Sequence, residues 1–126
     1  MRRDSKDAAW AKVKRTIYSR DNDSCRLIKT LSVSDMMALK RNAGQRIGVM
    51  QPAHIYPVSL MPEIMYEPEN LITLNAYSHS MLDSMRDPIT GKNISKSEVY
   101  KWWEKIAGKS QWRNLGILIE EKKHER

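Results

Sequence analysis

The sequence predicts an α+β fold in which one short hairpin is accompanied by several helices. In the middle of the chain, two β-prone segments are separated by a loop and followed directly by a helical pattern. Apolar residues also recur at helical spacing near both ends. A length of 126 residues fits one hydrophobic core. We therefore predict a single domain over residues 1–126, with its core at about 45–86.

Two helices are predicted before the hairpin. The first covers residues 7–20, where Trp10 and Ile17 belong to a set of apolar residues near helical spacing. The turn-forming segment SRDNDSC follows it. The second helix covers DMMALKRNA, with Ser34 as its predicted N-cap and Gly44 as its closing glycine.

The central part is predicted to run strand, loop, strand, helix. The segment IGVMQPAHIYP, residues 47–57, is expected to be extended because its prolines disfavour a helix. MPEIMYEPEN forms the loop, and LITL, residues 71–74, is the second β-prone run. NAYSHSMLDSMR, residues 75–86, fits a helix that ends before the turn DPITGKN.

A last helix is predicted from a capping box. Ser95 and Glu98 have the spacing of this motif, and the helix KSEVYKWWEKIAG that follows is stopped by Gly108. One of its adjacent tryptophans, Trp102 or Trp103, is expected to pack inward. The tail EEKKHER is predicted to be solvated or frayed.

Charge is distributed unevenly along the chain, whose formal net charge is +7. Residues 1–30 carry nine Lys and Arg against four acidic residues, and residues 91–126 carry nine against five. Between them, residues 50–90 hold Arg86 against five acidic residues. Basic flanks around an acidic middle suit a site that holds a cation while the flanks bind a polyanion. The alternative is that these Lys and Arg residues simply solvate helix faces.

The single cysteine indicates the compartment. Cys25 cannot form an internal disulfide, which favours a reducing cytoplasm, and it is predicted to be a small buried hydrophobe. No apolar run approaches the roughly 20 residues needed to span a bilayer, and the charged N-terminus lacks the apolar segment of a secretory signal. We therefore expect a cytoplasmic protein without a membrane partner.

Three polar residues stand out among the apolar residues of the predicted hairpin and helix. His79 and Asp83 are four residues apart, so they share one helix face and can bind one cation together. His54 lies on the preceding hairpin and is able to face them. Each has a structural alternative, in which His54 is a core histidine and the other two form a surface pair.

The central pattern resembles that of the HNH nucleases with a ββα-metal core, in particular small phage-encoded ones. Their pattern runs His-Ile-x-Pro, a variable loop, Asn-Leu-x-x-Leu, and a histidine nine residues after the asparagine. The matching positions are His54, Ile55, Pro57, Asn70, Leu71, Leu74 and His79. The lead-in WAKVKRTIYSRDNDSCRL is also similar, so the resemblance covers residues 8–86. It implies a ββα-metal core flanked by an N-terminal helix, an inserted helix and a C-terminal helix.

The resemblance also implies a hydrolase that cleaves DNA phosphodiester bonds, by nicking or double-strand cleavage, and leaves 5′-phosphate and 3′-hydroxyl ends. His54 is then the general base, a task that suits a neutral imidazole near physiological pH. Asn70 joins the catalytic set as an architectural residue that bonds backbone across the loop. His79 and Asp83 hold one divalent cation, which is Mg²⁺, Mn²⁺, Ni²⁺ or Zn²⁺.

Two departures from the family pattern concern metals. Many relatives carry Asp, Glu or His directly before the base histidine as a further ligand, where this chain has Ala53. Glu63, Glu67 and Glu69 of the loop are the alternative oxygen donors. Relatives often also hold a structural zinc between two Cys-x-x-Cys knuckles, whose positions here are occupied by Cys25, Ile28, Asn75 and Ser78. With one thiolate left, we expect no structural zinc.

Double-stranded DNA is the expected partner, with Lys12, Lys14 and Arg15 of the first helix as phosphate contacts. Family members act in homing, restriction or genome packaging, so phage packaging or recombination proteins are candidate partners in the cytoplasm of the host cell. The sequence leaves a second function open, that of a nucleic-acid-binding module with a decayed site that acts in a larger complex.

Overall fold

The computed structural model describes the backbone of residues 2–126 and the side chains of residues 8–126. The side chains of residues 1–7, part of the predicted basic flank, lie outside the described residues. Within the described part, the chain forms four helices and a two-stranded antiparallel sheet, which confirms the predicted α+β class. In chain order these are α1 (Arg2–Arg20), α2 (Val33–Ala43), β1 (Met50–His54), β2 (Leu71–Asn75), α3 (Ala76–Asp83) and α4 (Lys96–Glu125).

The two strands form an antiparallel pair in which Ala53 lies opposite Ile72 and His54 lies opposite Leu71. Pro52 is accommodated inside β1 because each strand has a neighbour on one side only. Every residue of β2 is buried, so β2 is the strand on which the rest of the molecule packs. The half-buried His54 ends β1 and lies at the edge of this core.

β2 passes directly into α3 without a connecting loop. Asn75 ends the strand and caps the helix, because its Oδ1 accepts a hydrogen bond from the backbone N–H of Ser78 at 2.8 Å. α3 ends at Asp83 rather than at Arg86 as predicted, and Met85 then turns the chain with a positive φ of 56°. The direct junction fixes the position of α3 against the hairpin.

The N-cap of α2 is Ser32, whose Oγ accepts a hydrogen bond from the backbone N–H of Asp35 at 3.1 Å. The prediction of Ser34 was therefore wrong. Both serines suit a cap by residue type, but Ser34 lies inside the first helical turn and Ser32 has the extended backbone that a cap needs. Gly44 closes α2 with a φ of 56°, as the sequence predicts.

α4 is kinked. The capping box of Ser95 and Glu98 begins the helix as predicted, and Gly108 leaves the helical conformation with φ 83° and ψ 164°. The chain then resumes a helix to Glu125, and six of the seven tail residues are exposed, so the tail is solvated as predicted and is helical rather than frayed. Arg126 Nη2 donates a hydrogen bond to Glu63 Oε1 at 2.8 Å, and this pairing lowers the pKa of Glu63 to about 2.

A buried carboxylate fastens α1 to β2. Asp21 is 3 % exposed, accepts a hydrogen bond from the backbone N–H of Thr73 at 2.9 Å, and forms ion pairs with Arg20 and Arg26. Burial alone would raise the pKa of Asp21. The hydrogen bonds from Arg20 and Thr73 and the charges of both arginines outweigh this effect, so the pKa lies below its ordinary value.

One hydrophobic core joins the hairpin to the helices. Its buried members include Leu39 of α2, Ile72 and Leu74 of β2, and Trp103 and Ile106 of α4. Trp103 is thus the tryptophan that packs inward, whereas its neighbour is half-buried. Among the described residues, no helix has an apolar stretch long enough to cross a bilayer.

Candidate active site

The three polar residues that stand out in the sequence line one cleft of about 560 Å³. His54 comes from the end of β1, and His79 and Asp83 come from α3. The start of α4 contributes Lys96 and Tyr100, and the remaining lining residues are apolar. The hairpin, α3 and α4 therefore meet at this cleft.

The ring of His79 has a fixed orientation. Its Nδ1 lies 2.8 Å from Oε1 of Gln51 on β1, and because an amide oxygen accepts, Nδ1 is the donor. In the neutral ring the lone pair is therefore on Nε2, which lies 3.2 Å from Asp83 Oδ2. The Asp83 side chain is 63 % exposed and the His79 side chain 24 % exposed, so the carboxylate is on the solvent side of the pair.

Two acceptor atoms at this separation suit a divalent cation. Ligand atoms that bind one octahedral cation at about 2.1 Å each and at right angles lie about 3.0 Å apart. The distance between His79 Nε2 and Asp83 Oδ2 is 3.2 Å. The hydrogen bond from the other ring nitrogen to Gln51 is the orienting contact that metal-bound histidines usually have. A protonated His79 would instead form an ion pair with Asp83, and a metal-binding measurement distinguishes these two states.

The alternative oxygen donors lie elsewhere. Glu63 is paired with Arg126, and Glu67 and Glu69 do not line the cleft. Ala53, which precedes His54, is fully buried in the core. Among the described residues, no group of three or more His, Cys, Asp and Glu side chains is placed to hold an ion. The described part of the cleft thus offers His79 and Asp83 as a pair of ligand side chains, which leaves coordination positions for water and phosphate oxygens.

His54 is half-buried and differs from an ordinary core histidine, because one of its nitrogens is held by a hydrogen bond and the other has no such partner among the described residues. Its Nε2 lies 2.8 Å from the backbone oxygen of Met65, and since a carbonyl oxygen accepts, Nε2 carries the proton. In the neutral ring Nδ1 is then the acceptor. This is the protonation state that a general base requires.

Asn70 is fully buried and does not line the cleft. Its Oδ1 accepts a hydrogen bond from the backbone N–H of Tyr56 at 2.7 Å, and its Nδ2 donates to the carbonyl of the same residue at 3.1 Å. These bonds close the loop between β1 and β2 two residues after His54. The architectural role expected for Asn70 fits this geometry.

One residue of the site was missed in the sequence. Trp10 of α1 stacks on the ring of His54, with centroids 6.0 Å apart and planes inclined by 12°. It also stacks on Tyr66, at 5.8 Å and 27°. Helical spacing identified Trp10 as an inward-facing residue of α1, but no local signal links it to a histidine of the hairpin.

The three residues of α1 predicted to contact phosphate, Lys12, Lys14 and Arg15, do not share one side of the helix. At about 100° per residue, Lys14 is about 40° from Trp10 around the helix, whereas Lys12 and Arg15 are about 160° and 140° away. Lys14 is half-buried with its Nζ 5.7 Å from the Trp10 ring, and the other two residues are exposed. The structure thus places Lys14 beside the candidate site and turns Lys12 and Arg15 away from Trp10.

The four positions that match the zinc knuckles carry one thiol, two other polar side chains and one alkyl side chain. Asn75 Nδ2 lies 3.3 Å from Cys25 Sγ, and Ser78 is fully buried with no hydrogen-bond partner for its Oγ. Ile28 is partly buried and packs against the core. A thiol, an amide, a hydroxyl and an alkyl side chain do not fit a four-coordinate zinc ion.

Comparison of the chain with protein-family models, with curated proteins and with solved structures gave no match. The geometry of the cleft and the resemblance of its residues to the HNH pattern are therefore the features that point to a function.

Proposed function

We propose that the chain is a metal-dependent HNH-type endonuclease that hydrolyses phosphodiester bonds of double-stranded DNA. The observation that carries the proposal is that two features lie in one cleft. The first is His54, whose Nδ1 is an acceptor, and the second is the pair His79 and Asp83, whose acceptor atoms are adjacent. The first suits a general base and the second suits a cation. The antiparallel hairpin followed directly by α3 supports a ββα core.

His54 takes the proton of the attacking water at Nδ1. The carbonyl of Met65 accepts from Nε2 in both protonation states, so the imidazolium that forms keeps its hydrogen bond. Asn70 fixes the backbone of Tyr56 and thereby the loop that follows the base. A positioned general base contributes roughly 10²–10⁴-fold to a rate.

His79 and Asp83 would hold the divalent cation, with Gln51 orienting the His79 ring. When bound, the cation supplies charge stabilisation at the scissile phosphate and at the departing 3′ oxygen. Positive charge near the cleft supports an anionic substrate, since Lys96 lines the cleft and Lys14 lies beside Trp10.

Plasmid nicking with Mg²⁺ or Mn²⁺ and with EDTA tests the proposal. His54→Ala should nick roughly 10²–10⁴-fold more slowly than the wild type, while it keeps its affinity for metal and DNA. His79→Ala should weaken metal binding, and a higher metal concentration should partly rescue Asp83→Ala but not His54→Ala. His124→Ala, at an exposed position of α4, is the matched control and should nick normally. If His54→Ala melts earlier yet nicks at the wild-type rate, His54 is a packing residue and the mechanism is wrong.

The small ligand set favours one alternative, a catalytically decayed DNA-binding module in a larger complex. Apart from the proposed base His54, His79 and Asp83 are the described His, Asp and Glu residues that line the cleft, and the buried Ala53 adds no ligand atom. In this case the wild-type chain binds DNA but nicks no faster than His54→Ala with any of the metals. The same set of assays therefore separates the two functions.

A further inference from the structure

The ring of His54 is incompletely fixed by its hydrogen bond. The contact between Nε2 and the Met65 carbonyl sets the direction of one nitrogen. A single hydrogen bond leaves the ring plane free to tilt about the line that joins its two atoms. The direction of the Nδ1 lone pair, which a general base must aim at a water molecule, depends on that tilt. A second contact on the face of the ring is needed to hold it.

Trp10 supplies that contact. The two ring planes are inclined by 12°, and a centroid separation of 6.0 Å lies within the range of offset stacks. A flat indole surface beside the imidazole restricts its tilt and shields one of its faces from solvent. Tilting the His54 ring would drive its edge into the indole.

Trp10 is itself held from two directions. Tyr66 stacks on it at 5.8 Å, and this residue directly follows Met65, whose carbonyl binds His54. Lys14, one helical turn after Trp10, places its Nζ 5.7 Å from the indole ring. The helix that carries both is docked on β2 through Asp21 and Thr73. The plane of the indole is therefore set by the docking of α1.

We propose that Trp10 is a positioning residue that holds the plane of the His54 imidazole, so that α1 forms part of the active site. The role rests on the proposed nuclease function, because it acts through the general base. It predicts that the aromatic ring of Trp10 is required, whereas its apolar bulk alone is insufficient.

A pair of substitutions separates these two properties. Trp10→Phe keeps an aromatic face, and Trp10→Leu keeps apolar bulk without a ring. Trp102→Ala is the control. It alters a half-buried tryptophan of α4 whose ring centroid lies 5.3 Å from Lys105 Nζ. Two quantities are measured on each variant, namely the single-turnover nicking rate with saturating enzyme and the NMR shifts of the His54 ring protons. Thermal melting confirms that each variant is folded.

In the wild type, the indole ring current should displace the His54 ring-proton resonances, and Trp10→Phe should retain part of that displacement. Trp10→Leu should lose it and should nick bound DNA roughly 10–100-fold more slowly, as expected for a misaligned catalytic group. Its dissociation constant for DNA should stay within twofold of the wild-type value. Trp102→Ala should leave both readouts unchanged.

Two results would overturn the proposal. One is a Trp10→Leu variant with wild-type His54 shifts and a wild-type nicking rate. The other is a variant that binds DNA more weakly but cleaves bound DNA at the normal rate, because Trp10 would then contact DNA. If the wild-type chain nicks nothing, the nuclease function fails, yet the His54 shifts still decide whether the indole stacks on that ring, on which the positioning role depends.

Discussion

Asp21 is the residue through which three elements are joined. Its carboxylate binds the backbone of β2 at Thr73 and pairs with Arg20 and Arg26. Arg26 continues the network to α4, where it donates to the carbonyl of Ala107 at 2.6 Å, next to the kink. The sequence identifies this stretch only as a turn after α1, since Thr73, which binds Asp21, and Ala107, which binds Arg26, lie far along the chain.

Replacing Asp21 by Asn should destabilise the fold in a pH-dependent way. The variant loses a buried charged acceptor for two arginines, which should lower the free energy of unfolding by about 2 kcal/mol at neutral pH. Because the folded pKa of Asp21 lies below its ordinary value of 3.8, the wild-type advantage is complete above that value. It is lost as the pH falls through the folded pKa.

Urea denaturation of wild type and variant between pH 2 and 7 measures this difference. Asp23→Asn, in the same turn but exposed, is the control and should change stability by less than about 0.5 kcal/mol. A gap between wild type and Asp21→Asn that stays constant down to pH 2 would mean that the carboxylate charge contributes nothing.

Residues of the cleft differ in how far the sequence reveals them. His54, His79 and Asp83 follow from residue type and spacing, because a histidine after a strand and an i,i+4 pair on a helix are local patterns. Gln51 is a cross-element partner, and Met65 contributes only a backbone carbonyl. Neither contact has a side-chain signature in the sequence, so both become visible only when the hairpin is folded.

At the scale of elements, α4 shows that tertiary contacts can continue a helix beyond a local stop signal. Gly108 was predicted to stop the helix, and the backbone does leave the helical conformation there. The helix resumes because tertiary contacts hold its second half. Gln111 Nε2 donates to the carbonyl of Leu71 at 3.0 Å, and Leu115 is buried in the core. A glycine signal locates a kink, but contacts distant in sequence decide whether the helix continues beyond it.

Two glycines of α4 should respond in opposite directions to alanine. Gly108 has φ 83° and ψ 164°, a conformation that residues with a Cβ rarely adopt, so Gly108→Ala should cost about 1–2 kcal/mol. Gly116 lies within the helix, where Gly116→Ala should stabilise the protein by about 0.5–1 kcal/mol. Neither added Cβ meets an atom within 4 Å, so backbone conformation alone sets both effects.

Chemical denaturation of the two variants under identical conditions is the measurement. Equal shifts of the same sign would show that α4 is not kinked at Gly108 in solution. Loss of stability in Gly116→Ala alone would point to a contact on the exposed face of the helix.

At the scale of the whole molecule, the sequence shows where the charges lie along the chain, but only the fold shows which of them lie near the candidate site. The sequence indicates basic flanks around an acidic middle, but it groups Lys12, Lys14 and Arg15 as one set. The docking of α1 on β2 separates them. Trp10 faces the hairpin and Lys14 lies on the same side of α1, so Lys14 is beside the candidate site while Lys12 and Arg15 are turned away from it.

This separation predicts different salt dependences for otherwise similar variants. Each phosphate contact contributes about 0.9 to the slope of log affinity against log salt concentration on duplex DNA. Lys14→Gln should therefore reduce the steepness of that slope by about 0.9. Lys12→Gln, the matched control on the same helix, should leave it unchanged because its side chain points away from the cleft. A variant with Lys12, Lys14 and Arg15 all replaced by Gln should resemble Lys14→Gln alone if only that residue contacts DNA.

Fluorescence anisotropy over a salt series, with a fixed duplex, gives the slopes of the wild type and the three variants. A triple variant that loses three times as much slope as Lys14→Gln would place all three residues on the DNA. Identical slopes for every variant would return the basic residues of α1 to the role of a solvated helix surface.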